Sequence, residues 1–323
     1  MGAMSVSGPM DAAEAAKNTF PDRLFHAITW FFAMLVLVLL AGVAATLVQG
    51  SWPALAEYGL KFFISSAWNP VTDRYGALVP VYGTLATAAI AMLIGVPLSF
   101  GVAFFLTELC PNRLKRPIGL AIELLAAIPS IIYGMWGLFV LAPFLQRTVQ
   151  PFLIHSFGGV PVLGEMFAGP PVGIGILTAG VILGVMILPY VAAVMRDVFE
   201  TIPPSLRESA YGLGATQWEV VWYVVLPRSS VGVVGGIMLG LGRALGETMA
   251  VTFVIGNAHH ISGSLLAPGT TIASALANEF TEAVGDLYTS ALMALGLVLF
   301  AITFTVLAGA KRMLIRLHQS QGS

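Results

Sequence analysis

Residues 203–227 read PPSLRESAYGLGATQWEVVWYVVLP, a polar insert in a chain whose other long stretches are apolar. Ser205-Leu206-Arg207-Glu208 has the spacing of a capping box: Ser205 would accept from the backbone N–H of Glu208, whose carboxylate reaches back to the N–H of Ser205. Thr216-Gln217-Trp218-Glu219 repeats the pattern. Between them Gly212 and Gly214 are able to take positive φ and close the first helix, and Leu226-Pro227 is expected to stop the second. The stretch is predicted to form a helix, a turn and a second helix. Trp218, Val221, Trp222 and Val225 fall at i, i+3, i+4 and i+7, so the second helix has one apolar face to bury. The first is too short to be stable alone in water and needs a surface to dock into.

Around this insert the composition is that of a multi-span membrane protein: of 323 residues, 57% are hydrophobic and 10% charged, against about 25% charged in soluble domains. A formal net charge of -1 gives no electrostatic basis for nucleic-acid binding. The single cysteine, Cys110, excludes an intramolecular disulfide. Runs long enough to cross a hydrocarbon core of about 30 Å occupy residues 24–48, 82–107, 118–142, 172–195, 231–256 and 287–310. The expected fold class is an all-α membrane protein with six transmembrane helices. The first run is longer than the about 7–15 residues of a signal-peptide core and reads as a span. Placing the N-terminus in the cytoplasm puts Lys17, Arg23, Arg113, Lys115, Arg116, Arg196, Arg207, Arg228, Lys311, Arg312 and Arg316 inside, and only Lys61, Arg74 and Arg147 outside. Both termini are therefore expected to be cytoplasmic. Residues 1–23 read as a largely disordered cytoplasmic tail, 24–312 as the membrane domain and 313–323 as a second tail.

The outer connections are longer than simple turns. Residues 54–63 are amphipathic and suit a short helix along the membrane surface. Residues 146–171, rich in Gly and Pro, are expected to be an irregular loop. Residues 270–280, TTIASALANEF, have helical periodicity but cannot span, which suggests a short external or re-entrant helix. Gly232, Gly236 and Gly240 recur every four residues, as do Gly242 and Gly246, so the fifth span is expected to be the packed centre of the bundle. Pro97, Pro129 and Pro189 lie within apolar runs and should kink them.

Arg243 is the basic residue deepest in a span; counted from Val231 at about 1.5 Å per residue it lies roughly 18 Å in, near mid-membrane. An unpaired charge there costs somewhere between about 2.5 and 17 kcal/mol, so it needs a partner or water. Glu247, four residues on, is expected on the same face. The pair either fixes helix packing as a neutral unit or lines an anion path, in which the guanidinium offers donors matched to phosphate or carboxylate oxygens. Thr248 and Thr252 add hydroxyls nearby, although threonines in spans tend to bond their own helix. Glu123 is read as lying five residues into the third span, snorkelling or paired with Arg116 or a neighbour, and Ser130 and Tyr133 follow the Pro129 kink as weaker path candidates. His259-His260 reads as a solvated loop in preference to a metal site. No Gly-Lys dipeptide occurs, so the chain has no P-loop and is not itself an ATPase. Gly240-Leu241-Gly242-Arg243-Ala244-Leu245-Gly246 misplaces the third glycine of a dinucleotide fingerprint and lies inside a span. No catalytic or metal-ligand cluster emerges.

Glu208-Ser209-Ala210, three residues, Gly214, nine residues, Val224, one residue, then Leu226-Pro227 is similar to the EAA loop of ABC importer permeases, EAA-x3-G-x9-I-x-LP, with Ser209 and Val224 as departures. The resemblance implies the type I importer permease fold and a short coupling helix that sits in a cleft of a cytoplasmic ATPase, with Glu208, Ser209, Ala210, Gly214, Leu226 and Pro227 carried over as coupling residues. The runs 76–84, 122–143, 190–200, 242–257 and 274–280 further resemble the PstC-type permeases of phosphate-specific importers. That resemblance covers residues 70–312 and implies inorganic phosphate as cargo. It also implies a PstA-like second permease, a dimer of PstB-like ATPases that uses ATP and Mg, and a PstS-like external phosphate-binding protein, in a prokaryotic cell membrane surrounded by lipid. No cofactor or metal is expected in this chain. Arg243, Glu247, Thr248, Glu123 and Ser130 are the expected substrate-path residues. A channel or secondary transporter without ATPase partners is the alternative class, as is a permease for another small anion; a membrane enzyme lacks a catalytic constellation.

Overall fold

The computed structural model describes residues 20–321. Lys17, the rest of the N-terminal tail before Phe20, the side chain of Arg316 and residues 322–323 lie outside the described residues. The described chain is helical, with two isolated bridges, Asn69–Arg74 and Gly256–Gly269. Besides the single turns Lys61–Ile64 and Leu163–Met166, its helices are α1 (Phe20–Tyr58), α2 (Leu78–Leu109), α3 (Asn112–Ala126), α4 (Ser130–Phe157), α5 (Ile176–Glu200), α6 (Pro204–Gly212), α7 (Gln217–Gly246), α8 (Met249–Val254), α9 (Ile272–Glu279) and α10 (Asp286–Gln321). Six of these, α1, α2, α4, α5, α7 and α10, are long and apolar enough to cross a membrane. Contacts divide the chain into residues 1–49, whose described part belongs to α1, and residues 50–323.

In the larger unit the packed centre is the fourth span, α5: its most apolar window is 67% buried, whereas that of α7 is 28% buried. Ile182, Met186, Ile187, Val191, Met195 and Phe199 give α5 a broad buried apolar surface. Small residues on both neighbours allow it to be approached closely. On α2, a Cβ at Gly95 would stand 2.9 Å from Ile187 Cδ1, and Ser99 Oγ lies 2.6 Å from Gly95 O and 3.0 Å from Leu188 O across the interface. On α7, a Cβ at Gly232, Gly236 or Gly240 would stand 2.5, 2.9 or 2.5 Å from Val198, Val194 or Val191. The four-residue glycine ridge is a seat for α5, so the expectation that the fifth span is the centre names the groove in place of the ridge that fills it. Gly242 makes only ordinary contact, 3.6 Å to Leu307, and Gly246 faces open space.

Two apolar runs and one expected loop are organised differently from expectation. The run 118–142 is not one span: α3 ends at Ala126, and Pro129 opens α4. Proline disfavours the α region at Ile128, so the helix breaks there. α3 is instead an amphipathic helix with Arg113, Lys115 and Arg116 in its first half. The run 231–256 breaks at Glu247, which adopts extended geometry (φ -70, ψ 127) and ends α7. Residues 146–157, expected as loop, continue α4.

Three of the prolines that helices pass through without stopping follow a widened turn. Before Pro143, Pro151 and Pro227 the chain makes a π turn, at Gly137–Leu141, Leu145–Val149 and Val221–Val225. In the last, Leu226 N–H donates to Val221 O, five residues back. A proline ring clashes with the carbonyl four residues before it; the wider turn moves that carbonyl aside. Leu226-Pro227 thus lies within a continuous helix and does not terminate one. The π turn also changes which residues are buried: Val220, Val221 and Val225 are inside, whereas Trp218 and Trp222, stacked at 5.3 Å, are largely exposed.

The valine seats set a stability test. Gly240→Val should destabilise the protein by about 1–3 kcal/mol through overpacking against Val191, while Gly235→Ala, with nothing within 4 Å of its Cβ, should be neutral or mildly stabilising. Thermal unfolding of the detergent-solubilised protein checks both, and equal midpoints for the two variants would contradict the seat.

Candidate functional site

The insert at 203–227 forms the expected helix, turn and helix. Gly214 holds φ +87 and turns the chain; Gly212 remains helical. The second capping box is complete, with Thr216 and Glu219 bonded reciprocally. The first does not form. Pro203 is the N-cap and Pro204 the first helical residue, which leaves Ser205 inside the helix, where its carbonyl accepts from Ser209 Oγ at 2.7 Å. Glu208, Ser209 and Leu213 face outward, Leu213 being 90% exposed, and no residue of α6 is buried. Ala210 is half-buried and packs on the core with Leu206.

Where α6 meets the bundle, one side chain bridges two helices. Arg207 Nη2 donates to Phe199 O at the end of α5 (2.7 Å), and its Nε lies 3.2 Å from Glu108 Oε1 at the end of α2. The Glu108 side chain is 6% exposed and that of Arg207 18%. Burial and the adjacent Glu108 raise the Tyr211 pKa, against a smaller lowering by Arg207. Glu108 escaped the sequence reading, because nothing local marks its partner ninety-nine positions away.

A second pair set lies beside it. Glu123 sits on α3, outside the third span, and accepts from Arg196 Nη2 at 2.7 Å, a bond Arg196 shares with Asp197. Lys115 pairs with Glu200 at 3.1 Å. Lys115, Glu123, Arg196 and Glu200 line an open groove of about 490 Å³ between α3 and α5. The expectation that Glu123 lies within the membrane fails because α3 ends before the span begins.

Arg243 occupies the last turn of α7. Its guanidinium carbon lies 5.8 Å from the ring centre of Tyr190 on α5, and its Nε is buried without a hydrogen-bond partner. It is also within electrostatic reach of Tyr133 on α4. Glu247 does not neutralise it. The helix ends between them, and Glu247 Oε1 instead approaches Ala250 N (3.4 Å) at the start of α8. Thr248 lies in the break, and Thr252 bonds its own backbone, Thr248 O, at 2.8 Å. α8 packs on α4, where a Cβ at Gly134 would stand 3.0 Å from Ala250 Cα. Ser130 opens α4, and Tyr133 Oη donates to Leu125 O (2.9 Å), a carbonyl that also accepts from Ile128 N–H at the end of α3. Thus Arg243 and Tyr190 come together, and Glu123 does not join them.

A third cluster gathers on Glu279, at the end of α9. Its Oε2 accepts from Trp68 Nε1 (2.6 Å) and Tyr288 Oη (2.7 Å), and its Oε1 faces His259 Nε2 at 2.6 Å. Trp68 stacks on His259, and Tyr75 on Tyr288. His260 is exposed as expected, but His259 is held, contrary to a solvated loop. No group of His, Cys, Asp or Glu among the described residues is arranged to hold a metal ion. α9 is anchored at its other end, where Ile272 N–H donates to Thr84 Oγ1 (3.0 Å) and Thr270 O closes on Gly83. Burial raises the Glu279 pKa, but the bonds from His259, Tyr288 and Trp68 outweigh it and hold the carboxyl below its ordinary value.

Comparison with known proteins adds the following. Residues 95–317 match the family model described as binding-protein-dependent transport system inner membrane component. The phosphate transport system permease protein PstC of Mesorhizobium japonicum is 63% identical over 311 residues, covering 96% of this chain and 95% of that protein. The protein of the same name from Pasteurella multocida is 58% identical, covering 93% and 94%. Among solved structures, an inward-facing MetNI methionine ABC transporter chain superposes with a TM-score of 0.57 at 18% identity, covering 75% of this chain and 95% of that one. A bacterial alginate ABC transporter chain gives 0.53 at 15% identity, covering 92% and 97%. At these identities the structures speak to the fold alone.

The Glu279 cluster predicts a pH dependence. A carboxyl with a depressed folded pKa contributes stability that is present above its unfolded value and lost as pH falls through the folded one. The environment of Trp68 should hold at neutral pH and open on acidification below the usual carboxylate range, as read by tryptophan fluorescence. Glu279→Gln should remove that transition, and an unchanged acid transition in this variant would contradict the assignment.

Proposed function

The chain belongs to the binding-protein-dependent transport system inner membrane component family, and we propose that it works by passing inorganic phosphate over Arg243 while α6 couples it to an ATPase. It is the permease subunit of a phosphate ABC importer, a multi-pass protein of the cell membrane. The observation that carries the anion path is the guanidinium of Arg243, half-buried, without a carboxylate, and steadied by the face of Tyr190. Such a group offers a fork of donors to a tetrahedral oxyanion. Its unbonded Nε supplies one donor. Thr248 and Glu247, in the break that follows, and Ser130, at the start of α4, are the further path residues of this reading.

The exposed face of α6, with Glu208, Ser209 and Ala210, and the turn at Gly214 together dock a cytoplasmic ATPase, while Leu226 and Pro227 carry α7 onward from the insert. This places the insert, α3 and both termini in the cytoplasm, in accord with the excess of Lys and Arg at that end. ATP and Mg are used by the partner ATPase dimer and not by this chain. A second permease subunit completes the path, and an external phosphate-binding protein delivers the cargo. A channel independent of ATPase partners would leave the exposed helical insert without a purpose.

In proteoliposomes holding the assembled complex, Arg243→Ala should lower phosphate uptake at least about tenfold, since hydrogen bonds to charged groups are worth about 1.5–3 kcal/mol. Wild-type uptake by the variant would remove Arg243 from the path. Gly214→Leu, which forces a side chain onto φ +87, should cost the complex its ATPase subunits on purification; full copurification with normal phosphate-stimulated hydrolysis would contradict the docking role.

A further inference from the structure

On the proposed cytoplasmic side three ion-pair sites lie near one another, and they differ in burial. Lys115 and Glu200 are 35% and 43% exposed, and the carboxylates paired with Arg196, Glu123 and Asp197, are 50% and 65% exposed. Their carboxylates are solvated and screened, so these pairs hold little even though the Arg196 side chain itself is 14% exposed. Glu108 and Arg207 are 6% and 18% exposed. Separating these two would leave charges facing protein, which is far less favourable than releasing them into water.

The buried pair also joins the right elements. Glu108 lies in the π turn Phe105–Leu109 that ends α2, and Arg207 lies in α6, so the pair ties the exposed helix to one of the two spans that flank α5. Through Nη2, the same guanidinium holds Phe199 O, the last buried turn of α5 itself. Leu206 and Ala210 also pack on the core from α6. Apolar contact is non-directional and lets surfaces slide. An ion pair backed by a hydrogen bond resists both push and pull along the helix.

We propose that Glu108 and Arg207 form the joint through which displacement of α6 reaches α2 and α5, with Glu108 acting as a positioning residue for Arg207. This rests on the reading that α6 docks the ATPase. Glu108 is not on the docking face: it touches the far side of α6, within the bundle. Its removal should therefore leave ATPase binding intact and spoil the transfer of movement, so that ATP is hydrolysed without phosphate being moved.

The test uses the complete complex in liposomes, with its binding protein outside, ATP inside and inorganic phosphate as cargo. ATP hydrolysed per phosphate imported is the readout, because a merely structural contact would lower both rates together. Glu108→Gln should copurify with the ATPase, hydrolyse ATP and raise that ratio at least about tenfold, equivalent to about 1.4 kcal/mol of lost coupling. Arg207→Lys, which keeps the charge and loses the fork, should raise it less. The charge swap E108R with R207E should restore coupling above that of R207E alone. An unchanged ratio in Glu108→Gln, loss of its ATPase subunits, or a swap no better than the single variant would each overturn the proposal. A wild-type complex with no phosphate-stimulated hydrolysis would instead overturn the importer reading, which keeps the two failures apart.

Discussion

The bundle depends on the seating of Val191, Val194 and Val198 of α5 against the glycine backbone of α7. Inside a bilayer the hydrophobic effect does not drive helices together, because lipid tails are as apolar as the side chains. Close van der Waals contact has to do so, and glycine permits the closest. The consequence extends past stability. Tyr190 adjoins Val191, and Arg243 lies one turn beyond Gly240, so the contact that fixes the two helices also sets the ring of Tyr190 beside the guanidinium. Packing and electrostatics share one interface here.

The break at Glu247 gives Arg243 its character. Had α7 continued, the carboxylate would have stood on the same face and cancelled the charge. It turns instead to the N-terminus of α8, where its Oε1 accepts from Ala250 N–H. Arg243 is left at the C-terminal end of α7, where the carbonyls of the last turn favour a cation without neutralising it. The π cloud of Tyr190 acts the same way. A cation held by partial charges remains able to meet an anion and to let it go.

How much of this was legible in the sequence follows from the range of the interactions involved. Gly214 and the Thr216–Glu219 box act over three or four residues, and both stood out. The six apolar spans and the glycine ridge were visible for the same reason. The third span begins later than its apolar run, because Pro129 starts a helix and does not kink one, and Glu123 falls outside that span in consequence. Pro151 falls in an expected loop and Pro227 at an expected helix end, since the π turns that accommodate them have no compositional mark. Partners distant in sequence were invisible: Trp68 and Glu279 are separated by 211 positions, and Tyr190 meets Arg243 only once α5 lies in the glycine groove.

Those π turns make chain length itself a structural parameter. Each accommodates one residue more than a regular helical turn would, so the faces beyond it are set by a count of residues as much as by their kinds. Between Thr216 and Gly232 the count includes the widened turn Val221–Val225. Deleting a single residue there would advance everything downstream by about 100° around the helix axis, taking Gly232, Gly236 and Gly240 out from under the valines and carrying Arg243 off Tyr190. A change of length in this segment therefore costs the fold more than an exchange of side chain does.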